Sequence, residues 1–154
     1  MCLGNICRSP AAHAVAVQRL AERGLVDAVT VDSAGTGDWH VGQLPHRQSR
    51  AAGERRGYIV DHPARQLQRV DGERFDLIVA MDRANLRDIR SVLTPAGDQL
   101  VLLRSYDPRG GADAELADPY SKPDAAFEQM YDVIERCIDP LLDDLVARRV
   151  VRTP

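Results

Sequence analysis

FDLIVAM, Phe75 to Met81, is the stretch that decides the fold. Its apolar residues run on without alternation from Leu77 to Met81, so a strand made of them is covered on both faces, as inside a parallel sheet. ANLRDIRSVL (84–93) then has helical spacing, and QLVLLRS (99–105) supplies a second apolar strand. Strand, helix, strand is the pattern of an α/β domain whose parallel sheet carries helices on both faces.

The same alternation extends outward. VTVDSAG (29–35) reads as a short strand ending in a turn, and HRQSRAAGERRG (46–57) as an Arg-rich helix despite Gly53. Near the start, Ser9 can cap a helix whose first turn holds Pro10, running through AAHAVAVQRLAER to a stop at Gly24. Downstream, the Gly- and Asp-rich loop DPRGGADAELADPY (107–120) precedes a long amphipathic segment from Asp124 to Arg149, with a bend predicted at Pro140. No repeat or linker divides the 154 residues, so one domain is expected.

Composition narrows the class of function. Hydrophobic residues make up 44% and charged residues 28%, and no apolar run reaches the ~20 residues of a membrane span. A net charge of −3 argues against a nucleic-acid surface. Cys2, Cys7 and Cys137 form an odd set with no signal peptide, which points to a reducing cytoplasm rather than a disulfide framework. His13, His40, His46 and His62 are scattered outside any metal-ligand spacing, so neither a metal nor another cofactor is expected.

Chemistry concentrates in MCLGNICRSP. A backbone curled from Cys2 through Leu3, Gly4, Asn5, Ile6 and Cys7 into a helix N-terminus turns its N–H groups inward and makes an anion nest. The same field stabilises a thiolate, so Cys2 is the candidate nucleophile. Arg8 adds a planar fork for two phosphate oxygens. A thiolate beside an oxyanion cradle suits phosphoryl transfer through a cysteinyl-phosphate. The leaving group then needs a proton, for which Asp118 is the candidate, stiffened by Pro119, with Tyr120 as an aromatic wall.

These residues closely resemble the low-molecular-weight protein tyrosine phosphatases of bacterial type. The family signature C-x-G-N-x-C-R-S-P is met by Cys2, Gly4, Asn5, Cys7, Arg8, Ser9 and Pro10, and its D-P-Y by Asp118, Pro119 and Tyr120. DSAGTGDWHVG (32–42), DHPARQL (61–67) and AMDRAN (80–85) extend the likeness along the chain.

The resemblance implies a four-stranded parallel sheet in the order 2-1-3-4 with helices on both faces, and hydrolysis of protein phosphotyrosine in two steps. Asp118 would act first as acid and then as base. It implies a loop-bracing network of Asn5, Ser9, Ser33 and His62, and Trp39 as a second aromatic wall opposite Tyr120. It also implies a redox partnership of Cys7 with Cys2; the other reading of Cys7 is packing beneath the loop. Phosphate or another oxyanion is the expected small ligand and a phosphotyrosine protein the expected partner, with a monomer favoured.

Two rivals remain beside this reading. A thioredoxin-coupled arsenate reductase shares the loop but needs two further, closely spaced cysteines, and Cys137 stands alone. A phosphate-binding remnant is the other, because only Met1 precedes Cys2 where the family places an apolar strand. That first strand is therefore expected to be largely absent, and the chain weakly stable without it. Thr in place of Ile6 would point to the related protein-arginine phosphatases; Ile6 favours phosphotyrosine.

Overall fold

The two apolar runs pair as expected in the computed structural model, which describes residues 1–148 apart from 96, 112 and 113. Strand β1, Ile78–Ala80, lies parallel to β2, Leu100–Leu102, with Ile78 opposite Leu100 and Ala80 opposite Leu102. Successive side chains of a strand point to opposite faces. Ile78 and Ala80 accordingly enter a small core with Leu67, Ile89, Leu93 and Leu102, while Leu77, Val79 and Met81 face the main core. Helices thus cover both faces.

Five α-helices accompany the strands among the described residues: α1, Arg8–Glu22; α2, Arg47–Arg55; α3, Asp71–Arg74; α4, Arg83–Val92; and α5, Asp124–Ala147. The main core is α1 against α5, where Ala11, Val15 and Leu20 meet Phe127, Tyr131, Ile134, Ile138 and Leu142. Each fully buried large apolar side chain contributes ~1.5–3 kcal/mol, so α5 is the main anchor of α1 and of the loop that starts it. In α2, Gly53 is required by proximity, since a Cβ there would lie 2.4 Å from Val60 Cγ2 and 2.5 Å from Tyr131 Oη.

Two expectations meet a different structure. Ser9 does not cap α1: the helix starts at Arg8 with Cys7 in the cap position, and the Ser9 hydroxyl is turned inward to Asn5 and Cys2. Pro140, where a bend is expected, lies inside α5, which continues past it to Ala147; residue 149 lies outside the described residues.

The second concerns the sheet: among the described residues it has two regular strands, where the resemblance implies four with the first largely absent. Residues 29–35 form no strand; Gly35 makes single parallel bridges to Cys2 on one side and to Gln66 on the other. A ladder needs a partner along its length, and here only Met1 and Cys2 stand between this segment and β1. Cys2 N–H donates to Ala34 O at 3.4 Å, the Met1 ammonium to Val79 O at 2.6 Å, and Met81 N–H to Met1 O at 3.2 Å. These rungs run in the spatial order 29–35, 1–2, β1, β2. Beyond them lies a cavity of about 470 Å³, walled by residues 28–34 and 75–79 and floored by Ala12 and Ala16 of α1 and Leu141 and Leu145 of α5.

Candidate active site

Four carbonyls of residues 2–7 are taken by neighbouring segments. Thr36 N–H donates to Cys2 O at 3.0 Å, Gly37 N–H to Leu3 O at 2.9 Å, His46 N–H to Ile6 O at 2.7 Å, and Ser49 Oγ to Cys7 O at 3.0 Å. None of these bonds takes an N–H of residues 3–7, which leaves those donors for an anion. Tight curling puts Asn5 at φ +56°, in the left-handed region that asparagine tolerates best after glycine. Gly35 lies directly behind, where a Cβ would sit 2.8 Å from Leu3 O.

The loop is braced from beneath. Asn5 is fully buried; its Nδ2 donates to Ser9 Oγ at 2.7 Å and to Ser33 Oγ at 3.0 Å, and its Oδ1 accepts from Arg65 N–H at 2.9 Å. Ser9 Oγ lies 3.0 Å from Cys2 Sγ. A serine hydroxyl that accepts from Asn5 has one proton to give, and Cys2 is its neighbour. Behind Ser33, His62 Nδ1 stands at 3.5 Å from the hydroxyl and its Nε2 at 2.9 Å from Asp32 Oδ1. All four residues of the implied bracing network are therefore connected.

Arg8 is 2% exposed and arrives already partnered. Its Nη1 donates to Asp82 Oδ2 at 2.6 Å and Leu116 O at 3.0 Å, and its Nη2 to Asp118 Oδ2 at 3.1 Å. Of five guanidinium protons, the bonds among the described residues leave those on Nε and the second on Nη2, atoms that share one edge of the fork. Leu116 N–H donates to Met81 O at 2.8 Å, which ties the Asp118 loop to the end of β1. Asp118 Oδ1 accepts from Tyr120 N–H at 3.1 Å, and Pro119 is buried, so the half-exposed carboxylate has a fixed base.

Above the loop opens a cleft of about 260 Å³ lined by Cys2, Leu3, Gly4, Ile6, Cys7, Arg8, Trp39, His40, Asp118 and Tyr120. Trp39 and Tyr120 are exposed walls; the Tyr120 ring meets His46 edge-on at 5.7 Å, and His46 stacks on buried Phe127 at 5.6 Å. The larger cavity beside β1 is apolar at its floor and contains none of Cys2, Arg8 or Asp118, so the three candidate residues meet only in the smaller cleft.

The cysteines differ in character. Burial, with the Cys2 and Asp118 charges adding, pushes the Cys7 thiol up to about 12, so it stays protonated beneath the loop. Burial likewise pushes Cys137 up to about 12 inside the α5 core. Among the described residues no group of three or more His, Cys, Asp or Glu side chains is placed to hold a metal, and no helix is long and apolar enough to cross a membrane.

Four participants escaped the sequence reading: Asp82, Asp32, Arg65 and His40. Asp82 had a signal, an acid at the carboxyl end of a buried parallel strand, where such sheets place ligand-facing residues. His40 is marked only by following Trp39. Asp32 and Arg65 act through segments that touch only after folding.

Comparison with known proteins agrees with the geometry. The family model for low molecular weight phosphotyrosine protein phosphatase matches residues 1–151. Low molecular weight protein-tyrosine phosphatase A of Mycobacterium tuberculosis is 42% identical over 99% of this chain and 92% of its own length. The human low molecular weight phosphotyrosine protein phosphatase is 36% identical over 93% of this chain and 91% of its own. A crystal structure of the Entamoeba histolytica protein tyrosine phosphatase, with Hepes in its active site, superposes with a TM-score of 0.90 at 32% identity, covering 96% of this chain and 95% of that one. Matched along its length in sequence and in shape, the chain belongs to the low molecular weight phosphotyrosine protein phosphatases, a family of hydrolases.

Proposed function

We propose that the chain hydrolyses protein phosphotyrosine through a phosphoryl group carried on Cys2. The observation that carries this reading is the convergence, in one cleft, of the Cys2 sulfur, the open edge of Arg8 and the Asp118 carboxyl. In the first step Cys2 Sγ bonds to phosphorus as the bond from phosphorus to the tyrosine oxygen breaks. Asp118 gives its proton to that oxygen, so tyrosine departs neutral. The loop N–H groups and the free edge of Arg8 hold the three equatorial oxygens. In the second step a water attacks phosphorus, Asp118 takes a proton from it, and Cys2 leaves as thiolate with release of inorganic phosphate.

Trp39 and Tyr120 on opposite walls favour a planar ring over the shorter side chain of phosphoserine. Oxyanion binding in the Entamoeba relative, whose site holds Hepes, supports the same use of the loop here. A redox relay through Cys137 has no support in its position in the α5 core.

The test is a pair of variants. Cys2→Ser should remove aryl-phosphate hydrolysis while still binding phosphate. Asp118→Asn should slow phosphotyrosine ~10²–10⁴-fold but slow a substrate with a good leaving group far less. Turnover by Cys2→Ser at the parental rate, or equal losses across leaving groups, rejects the corresponding role.

A further inference from the structure

Asn5 is the strut between the catalytic loop and the rest of the protein, and what fixes Asn5 is residue 65. Arg65 N–H occupies Asn5 Oδ1, and Arg65 O accepts Gly35 N–H at 2.9 Å, so both main-chain groups are engaged. Its side chain laces the segment down. Nε donates to Asp32 Oδ2 at 3.0 Å, while Nη1 and Nη2 reach Asp71 Oδ2 and Oδ1 at 2.8 and 3.3 Å. Asp71 is 4% exposed and also accepts Gln68 N–H at 2.9 Å. Asp32 in turn takes Ser33 N–H at 2.7 Å and His62 Nε2 at 2.9 Å.

We propose that Arg65 is a positioning residue for the Cys2 thiolate, acting through the orientation of the Asn5 amide. This rests on the reading of Cys2 as nucleophile. An amide side chain has one acceptor end and one donor end. With Arg65 N–H on Oδ1, the two Nδ2 protons go to Ser9 and Ser33, and the single Ser9 proton goes to Cys2. If the residue-65 segment shifts, the amide loses that lock and can turn over. Ser9 then donates to Asn5 Oδ1, and nothing remains for the sulfur. Arginine suits the task because one planar fork reaches two carboxylates in different directions, which an ammonium cannot do.

The test compares Arg65→Met with Arg136→Met in the full chain. Arg136 is a matched control: its guanidinium bonds Asp107 at 3.2 and 3.1 Å, and its side chain is 28% exposed against 29% for Arg65. Arg65→Met should lower kcat for an aryl phosphate about tenfold, the loss of one hydrogen bond to a charged group. KM and inhibition by inorganic phosphate should change less than about twofold, because Arg8 and the loop N–H groups are untouched. The pH dependence of iodoacetate inactivation should move upward by about half a unit or more, since less thiolate is stabilised. Arg65→Lys should recover part of the loss. Arg136→Met should lower Tm and leave the pH dependence in place. An unshifted profile in Arg65→Met, or an equal shift in Arg136→Met, overturns the proposal. Should Arg65→Met not fold, Asp71→Asn and Arg65→Lys carry the same measurement: an upward shift supports the role of Arg65, and an unshifted profile overturns it. Mapping the alkylated residue separates the two failures: a label away from Cys2 rejects the mechanism, and a label on Cys2 with an unshifted profile rejects only the role of Arg65.

Discussion

Asp82 Oδ2 stands 2.6 Å from Arg8 Nη1, while its other oxygen accepts Asn85 N–H at 2.7 Å and caps α4. One carboxylate therefore holds the Arg8 fork and starts a helix. Asp82→Asn keeps a capping oxygen but removes the charge facing Arg8. Its kcat/KM for an aryl phosphate should fall about 10- to 100-fold, with phosphate inhibition weakened and Tm nearly unchanged. A variant as active as the parent would show that the α1 backbone alone aims Arg8.

Stability should fall on mild acidification, and His13 is one cause. Burial, followed by the charge of His62, holds the His13 imidazole below the ordinary histidine value; Asp32, Asp61 and a bond to the Val31 backbone oppose this. The His62 ring is 4.5 Å away. Below about pH 6.5 the unfolded chain takes up this proton before the folded one does. Stability is thus full above that pH and declines as pH drops toward the lower folded value. Tm measured at pH 7.5 and 5.5 should differ, and His13→Gln should narrow the gap; an unchanged gap assigns the loss to other groups.

Gly53→Ala places a methyl group against Val60 and the Tyr131 hydroxyl, which is buried and donates to Ser49 O at 3.0 Å. Overpacking costs ~1–3 kcal/mol, which exceeds the ~1 kcal/mol that alanine gains over glycine in a helix. Denaturant unfolding should show a net loss. Adding Tyr131→Phe should return part of it by removing the clashing oxygen, and strict additivity of the two changes would contradict the contact.

The cavity beside β1, with its apolar floor, should accept a strand. We propose that about five apolar, β-branched residues joined ahead of Met1, close to the usual strand length, fill it by pairing with residues 29–34 and 77–79. Tm and aryl-phosphate turnover should both rise, because Cys2 would then be held from both sides. The same extension with alternating Asp and Lys is the comparison. Equal Tm values for the two forms would mean that the cavity takes no strand.

Much of this was legible from local patterns. The apolar run at 77–81 announced β1, the C-x5-R loop placed Cys2 and Arg8, and Asp-Pro-Tyr marked the opposing wall before any fold was known. What stayed hidden had long-range causes. Residues 29–35 have strand composition, but pairing is a property of neighbours, and Gly35 alone pairs, with one bridge on each side. Ser9 looked like a cap because hydroxyl residues before a helix usually are; here Asn5 and Cys2 outcompete the helix N–H groups for it. Arg65 is one arginine among many in a chain with a single lysine, and only the meeting of residues 32, 65 and 71 distinguishes it.

The bond from Arg8 Nη2 to Asp118 makes an interlock. If Asp118 is the proton donor, it is tethered to the guanidinium whose remaining edge the phosphate would take. Dianionic oxygen arriving there would compete for the same positive charge and slacken that tether. On the proposed mechanism, seating the ester and freeing the acid would become one event, with the order of operations written into a single side chain.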